Sequence, residues 1–281
     1  MTLEFSPVDY LIIGHVARDI TANGPSLGGT VSFAGRTALS IGYRVGAITS
    51  CEEHFDLSKL EGIQIFRQPS SKTTTFENFY SRGGRTQKIL ERASDLGPDC
   101  VPSIYLTADL IHLGPIACEV DPALIELFPT AFIGITPQGW LRRWNPSGHV
   151  RLTNWEVLRE ILPKADAVVL SIEDIKNDES AAEELARHCR VLAVTRAAKG
   201  ASLFWKGQRS EIPTMKVEEI DSTGSGDIFA AIFFIRLLET GNPYEACQFA
   251  NQVASISITR RGIQGTPTTT ELEALKNRFQ T

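Results

Sequence analysis

DSTGSGDIFAAIFFIRLLE, residues 221–239, sets a glycine-rich turn directly against an apolar helix. Gly224 and Gly226 permit close backbone approach and unusual dihedrals. The segment IFAAIFFIRLLE (228–239) is apolar on nearly every face, the pattern of a helix buried all round. Gly241-Asn242-Pro243 ends it, and a second helix is expected over Tyr244–Thr259. Amides at a helix N-terminus lack intrahelical partners and carry the positive end of the dipole, so they bind phosphate. Amides of Gly224, Ser225, Gly226 and Asp227 would hold a transferring phosphate, and Asp227 would accept a proton from an attacking hydroxyl. The same letters also describe a plain tight turn with Asp227 as helix N-cap.

Upstream of this turn, short apolar runs recur. They are DYLIIGHV (9–16), VGAITS (45–50), LIHLG (110–114), AFIGIT (131–136), AVVLSI (167–172) and VLAVT (191–195). Each reads as a buried parallel strand. Amphipathic stretches of helical length separate several of them, as at Asp121–Leu127, Trp155–Leu162 and Glu179–Cys189. Alternating strands and helices predict an α/β fold with a mostly parallel sheet covered on both faces. Two regions break the alternation, around 21–27 and 63–91. The second alternates polar with apolar residues and carries Gly83-Gly84 as a turn signal. Both are expected to be extra strands outside the main sheet, forming a small flap that would cover a ligand; the same pattern also describes a plain surface hairpin. No internal repeat or linker interrupts the chain, so residues 1–281 are expected to form one domain with that flap.

Bulk properties narrow the function. Hydrophobic residues make up 42% of the 281, enough for a sizeable core. Net charge is −5 and Lys and Arg are scattered, which argues against a nucleic-acid partner. The pairs Arg142-Arg143 and Arg260-Arg261 could meet the phosphates of a small ligand. Five widely spaced cysteines without a CxxC argue against a disulfide framework or zinc site. The first residues have no basic lead, and no segment reaches the ~18 apolar residues of a membrane span, so a cytoplasmic protein is expected. A dinucleotide fingerprint would need a third glycine where Phe229 stands, and a Walker A loop is absent. His112 reads as a satisfied core histidine at a strand end.

The segment DSTGSGD resembles the D-T-x-G-A-G-D signature of the PfkB/ribokinase family of carbohydrate kinases, with Ser222 and Ser225 as departures. Other segments resemble that family in the same order. They are GHVARDI (14–20), LGGTVSFAGRTALSIGYRVGAIT (27–49), VVLSIEDI (168–175), AVTRAAKGASLF (193–204) and FANQVASISITRRGIQGTP (249–267). The resemblance implies a ribokinase-like three-layer α/β/α sandwich with a small β-lid. It implies Asp227 as catalytic base and Gly224, Ser225 and Gly226 as an anion hole. ATP would lie near Ser171, Thr195, Arg196, Lys199, Gly200 and Asn251. Glu173 and Asp174 would order Mg2+ through water, with Ser171 standing where the family has Asn. Lids in this family pair between subunits in some members, so a homodimer through the lid is a possible assembly.

By the same resemblance, the acceptor would meet Asp19, Gly28, Gly29, Ser32, Asn78, Gln138 and Arg142. Ribokinase-like members continue the GG loop with Lys and Asn; here Thr30 and Phe33 stand at those places, which argues against ribose. GGTVSF, PQGWLRRW (137–144) and TTTFENFYSRGGRTQKI (73–89) are similar to the myo-inositol kinase branch. The expected function is ATP-dependent phosphorylation of a cyclic polyol or sugar, with myo-inositol first. A nucleoside kinase on the same fold is the alternative, with Phe33, Phe76 and Phe79 as walls for a base. A non-catalytic sensor of nucleotide or polyol is a third reading, disfavoured by the intact Asp227.

Overall fold

A computed structural model describes residues 5–21, 24–81 and 84–279. The chain opens with β1 (Tyr10–Ile13), β2 (Ala17–Thr21), β3 (Gly24–Gly28), α1 (Thr30–Ser40) and β4 (Val45–Cys51). Next come β5 (Gln64–Pro69), β6 (Thr75–Ser81), β7 (Gly84–Glu91), β8 (Leu110–Leu113) and β9 (Phe132–Ile135). The middle holds β10 (Arg142–Trp144), β11 (Val150–Leu152), β12 (Ala167–Ser171), α2 (Glu179–Ala186) and β13 (Val191–Thr195). The chain ends through β14 (Ala201–Trp205), β15 (Gln208–Ile212), α3 (Ser225–Thr240), α4 (Pro243–Ser257) and α5 (Thr269–Phe279).

Nine strands form the main sheet in the order β15-β14-β13-β12-β9-β8-β1-β4-β5. The six apolar runs supply its parallel centre; β14 and β15 are added antiparallel at one edge. The central strands bury both faces, which is why they read as continuous apolar runs rather than alternating ones. On one face α3 packs on β8, β9 and β12 and is flanked by α1 and α4. Every residue from Ile228 to Ile235 is buried there, so this stretch of the helix has no polar side to show. Gly241 closes it in the left-handed region at φ 64°.

The other face departs from expectation. Segments 121–127 and 155–162 form 3-10 turns over Pro122–Leu127 and Trp155–Leu158, and only Glu179–Ala186 is an α-helix. Prolines explain it: Pro122 and Pro129 bracket the first segment and Pro163 follows the second. The residue before a proline is pushed out of helical geometry, so neither segment has length for a run of i→i+4 bonds. Their apolar residues still reach the core, where Leu124, Phe128, Leu158 and Leu162 pack with Tyr105, Ile111 and Trp140.

The flap is a second sheet of four strands, ordered β3-β2-β6-β7. Its expected bounds need correction. Gln64–Pro69 is not part of it but pairs parallel with β4 at the edge of the main sheet, so that flap strand region begins at Thr75. The other region is a pair of strands, Ala17–Thr21 and Gly24–Gly28, with residues 22 and 23 outside the described residues. Gly83 of the expected turn also lies outside the described residues. No helix among the described residues is long and apolar enough to cross a membrane.

His112 is fully buried between Tyr10 and Thr136. Its Nδ1 lies 2.6 Å from the Tyr10 hydroxyl and its Nε2 3.0 Å from Thr136 Oγ1. Burial pushes its pKa down to about 3. The folded chain therefore keeps His112 neutral while the unfolded chain takes up a proton below about pH 6.5. Stability is expected to fall as pH drops from 6.5 toward 3, at up to about 1.4 kcal/mol per pH unit from this group. Thermal melts of wild type and His112→Gln across pH 7.5–5 check this; the variant should show the shallower slope.

Candidate active site

The turn that opens α3 is held from below. Gly224 adopts φ 78°, and a Cβ there would lie 2.2 Å from the Phe33 ring. Only glycine tolerates both the dihedral and that approach. Asp221 ties the turn to the segment after α4: its Oδ1 accepts from Thr223 N at 2.9 Å and its Oδ2 from Gly262 N at 2.8 Å. Burial alone would raise the Asp221 carboxyl, but these hydrogen bonds outweigh it and leave its pKa lowered.

Within this turn Ser225 N donates to Ser222 O at 3.2 Å, so it is not available to an anion, contrary to expectation. The amides of Gly224, Gly226 and Asp227 make no hydrogen bond among the described residues. A side chain placed at Gly226 would meet nothing within 4 Å. The turn thus leaves three amides without a partner among the described residues, at the positive end of a sixteen-residue helix.

Asp227 touches this opening while protein surrounds most of its carboxyl. Burial raises its pKa to about 6, against a hydrogen bond from Thr30 and the charge of Arg142; Asp174 and Asp19 push it further up. The groups that act on Asp227 form the constellation. Thr30 comes from the first turn of α1, Asp19 from β2 in the flap, Arg142 from β10 and Asp174 from the 3-10 turn Ile172–Ile175. Residues far apart in sequence therefore converge where the C-terminal ends of the parallel strands face the flap, the usual position for ligands in such sheets.

The flanking residues differ in what they offer. Asp19 is 9% exposed, and Gly28 across the ladder leaves room for it: a Cβ at Gly28 would lie 1.9 Å from Asp19 Oδ2. Arg142 is buried, donates from Nη1 to Ile116 O at 3.0 Å, and lies over the Phe76 ring at 5.6 Å. Gln138 Nε2 donates to Asp174 Oδ1 at 3.3 Å. Asn78 is half-buried in β6 and accepts from Gln87 Nε2 at 2.9 Å. Gly29 links the flap to α1 at φ 89°. Ser32, expected to meet substrate, is fully enclosed and donates to Gly28 O at 2.7 Å; it braces the loop and has no surface facing the cleft.

Ser171 caps the Ile172–Ile175 turn in a capping box with Asp174, whose Oδ2 accepts from Ser171 N at 2.9 Å. Glu173 is exposed beside it. No group of three or more acidic, His or Cys side chains is gathered for a metal among the described residues. Two neighbouring carboxylates, one exposed, still suit Mg2+, which keeps several waters and takes one or two carboxylates plus phosphate oxygens.

At the end of β13, Thr195 Oγ1 lies 3.4 Å from Leu170 O. Arg196 pairs with Glu179 and donates from Nε to Ser202 Oγ at 2.5 Å, so its guanidinium already has partners. Lys199 is exposed on the following turn, and Gly200 has φ 88°. Asn251 is buried and donates from Nδ2 to Ile212 O at 2.9 Å, fastening the segment after β15 rather than presenting its amide. Arg260 is paired with Glu271 at 3.1 Å.

Sequence reasoning missed Thr30 as the partner of Asp227, Phe33 as the floor of the turn and Asp221 as its anchor. Thr30 directly follows Gly28-Gly29, and Asp221 opens DSTGSGD, so both had a positional signal.

Residues 147–270 match the sequence pattern of the pfkB family carbohydrate kinase. The chain is 37% identical over 94 residues to the ribokinase of Bacillus subtilis (strain 168), covering 33% of this chain and 32% of that relative. It is 26% identical over 275 residues to a fructokinase of Escherichia coli, covering 89% of this chain and 87% of the relative. It is 22% identical over 277 residues to the inositol 3-kinase of Arabidopsis thaliana, covering 90% and 74%. Among solved structures, a pyrophosphate-dependent kinase in the ribokinase family, complexed with a pyrophosphate analog and myo-inositol, superposes with a TM-score of 0.78. The identity is 21%, covering 94% of this chain and 99% of that one. The pattern match lies in the second half, the alignments extend it along nearly the whole length, and the fold is shared. The second half of the chain thus matches the pfkB carbohydrate kinase pattern, and the whole chain shares the fold of the ribokinase-family structure.

Proposed function

We propose that this chain transfers a phosphoryl group from ATP to a hydroxyl of a neutral cyclic polyol or sugar, with myo-inositol the foremost acceptor. The observation that carries the reading is Asp227, a carboxyl with a raised pKa beside three unpartnered amides at the start of a buried helix. A hydroxyl lying against Asp227 would pass its proton to the carboxylate as its oxygen attacks phosphorus. The bond from phosphorus to the leaving phosphate breaks, and the amides of Gly224, Gly226 and Asp227 take the charge on the transferring oxygens. Asp19, Asn78, Gln138 and Arg142 would orient the acceptor, with Gly28 and Gly29 shaping its edge. Three carboxylates, Asp19, Asp174 and Asp227, share the site with one buried cation, Arg142; that balance disfavours an acceptor already carrying phosphate.

On the donor side, Lys199, Gly200 and Thr195 would line the phosphates, with Ser171 near them and Arg196 and Asn251 supporting. Glu173 and Asp174 would hold Mg2+, which supplies charge neutralisation on the donor phosphates. Pyrophosphate is the second donor to test, since a structural neighbour uses it. The exposed Phe79 and Leu90 in the flap would offer a surface for pairing two chains, which light scattering in solution would read.

A nucleoside acceptor fits less well. Phe33 is sealed beneath Gly224 and Phe76 is 3% exposed under Arg142, so of the three expected ring walls only Phe79 is open. An assay with myo-inositol, fructose, ribose, cytidine and adenosine against ATP with Mg2+ and against pyrophosphate tests the proposal. Turnover is expected to be greatest with myo-inositol. Phosphorylation of a nucleoside but no polyol or sugar would remove it.

The pH dependence has a defined sign. Asp227 must be ionised to accept a proton, and its pKa is raised to about 6. The value of kcat/KM should therefore be level above that pH and fall about tenfold per unit below it. An acid limb staying level down to pH 4.5 would contradict a base in this environment.

A further inference from the structure

Glu119 belongs to none of the motifs above, yet it is 1% exposed in the loop after β8. Its carboxylate accepts from three backbone amides, one of them shared by both oxygens. Oε1 takes His15 N at 3.0 Å and Ile116 N at 2.9 Å; Oε2 takes Ile116 N at 3.0 Å and Ala117 N at 2.6 Å. From the solvent side Arg92 holds the same loop, donating from Nε to Ala117 O at 2.8 Å and from Nη2 to Cys118 O at 3.0 Å. Cys118 sits at φ 56°, a backbone region a cysteine rarely adopts and keeps only when its surroundings impose it.

Two acceptor-site groups depend on this loop. Arg142 Nη1 donates to the carbonyl of Ile116, the residue whose own amide Glu119 grips. His15, pinned through its amide, leads directly into β2, which carries Asp19. His15 also joins the flap's other crossings: its Nδ1 lies 2.7 Å from Thr74 Oγ1 before β6, and its Nε2 lies 2.8 Å from Ser94 O after β7. One buried carboxylate thus sits where the flap's connections and the loop behind Arg142 meet. Satisfying three buried amides would alone justify a carboxylate. The further content is that the peptide it fixes is the one that locates Arg142.

We propose that Glu119 is a positioning residue of the acceptor site, acting with Arg92 through the Ile116 carbonyl to set Arg142 opposite Asp227. This rests on the kinase reading for its kinetic consequence, but not for its geometric one. Glu119→Gln turns one acceptor into a donor facing amides that also donate, so the loop must shift. Arg92→Lys loses the two-pronged grip from outside and is the milder change.

The experiment measures kcat and both KM values for wild type, E119Q, R92K, R142A and the doubles with R142A, using myo-inositol as acceptor. It is paired with crystal structures of E119Q and R92K. The expected result is an acceptor kcat/KM lowered about tenfold by E119Q and less by R92K, with donor KM within about twofold. In the Arg142→Ala background the same changes should cost almost nothing further. Fully additive losses, or equal losses for donor and acceptor, would overturn the proposal. If E119Q does not fold, R92K carries the same comparison. If wild type phosphorylates no acceptor, the functional reading fails on its own. The crystal structures then decide the positioning role, and an Arg142 guanidinium unmoved in the variant lattice refutes it.

Discussion

Replacing Asp227 with Asn is expected to lower kcat by about 10²–10⁴-fold, the contribution of a general base, while acceptor and donor still bind. Asn matches Asp in size and can still accept the Thr30 hydrogen bond, so the constellation around it has no reason to move. What it loses is the capacity to take a proton. The same variant should be more stable than wild type at neutral pH. A carboxyl whose pKa rises from 3.8 to about 6 on folding holds its proton more tightly in the folded chain. Its favourable contribution is present at low pH and disappears as pH climbs through about 6. Above that, the ionised group carries a desolvation cost on the order of 1–3 kcal/mol. Melting curves at pH 8 and pH 4 should show the Asn variant ahead at the higher pH and the gap closing at the lower. Turnover near that of wild type in this variant would end the assignment of Asp227 as base.

Gly224→Ala is expected to act on both stability and turnover. A left-handed backbone costs an L-residue about 1–2 kcal/mol. A methyl placed 2.2 Å from the Phe33 ring must also push that ring or the turn aside, adding about 1–3 kcal/mol. Phe33 is fully packed in α1 against the core, so the turn is the part that yields. Its amides then leave the position where the transferring oxygens would lie, and losing one such donor typically costs about 10²–10³-fold in kcat. Adding Phe33→Ala removes the overlap but not the dihedral cost, so the double variant should recover part of the stability and little of the turnover. An alanine variant with unchanged kcat would show that these amides do not carry the charge.

Much of this architecture could be read along the chain because the signals are local. The six apolar runs became the parallel centre of the sheet, and α3 is buried along the face its composition demanded. Asp19, Arg142, Asp174 and Asp227 are each legible as candidates in the sequence, and in the folded chain the charges of the first three act on the fourth. Other features were not readable in this way. Gln64–Pro69 alternates as either an edge strand or a flap strand would, and only its pairing with β4 decides. The antiparallel β14 and β15 carry no mark of direction in their residues. Ser32 looked like a substrate contact because a hydroxyl beside a glycine pair is ambiguous until its partner, Gly28 O, is known.

From its residues alone, this protein was determined to be a layered α/β chain with a glycine turn feeding a buried helix, and a carboxylate at that helix's start. Periodicity and backbone preference act over a few residues, so the sequence suffices for them. Only the tertiary structure decided which amides of the turn stay open, where the flap begins, and that Thr30 and Arg142, the latter bonded to Ile116 O, act on Asp227. Those outcomes depend on hydrogen bonds and burial between segments far apart in the chain, and no local pattern encodes a distant partner.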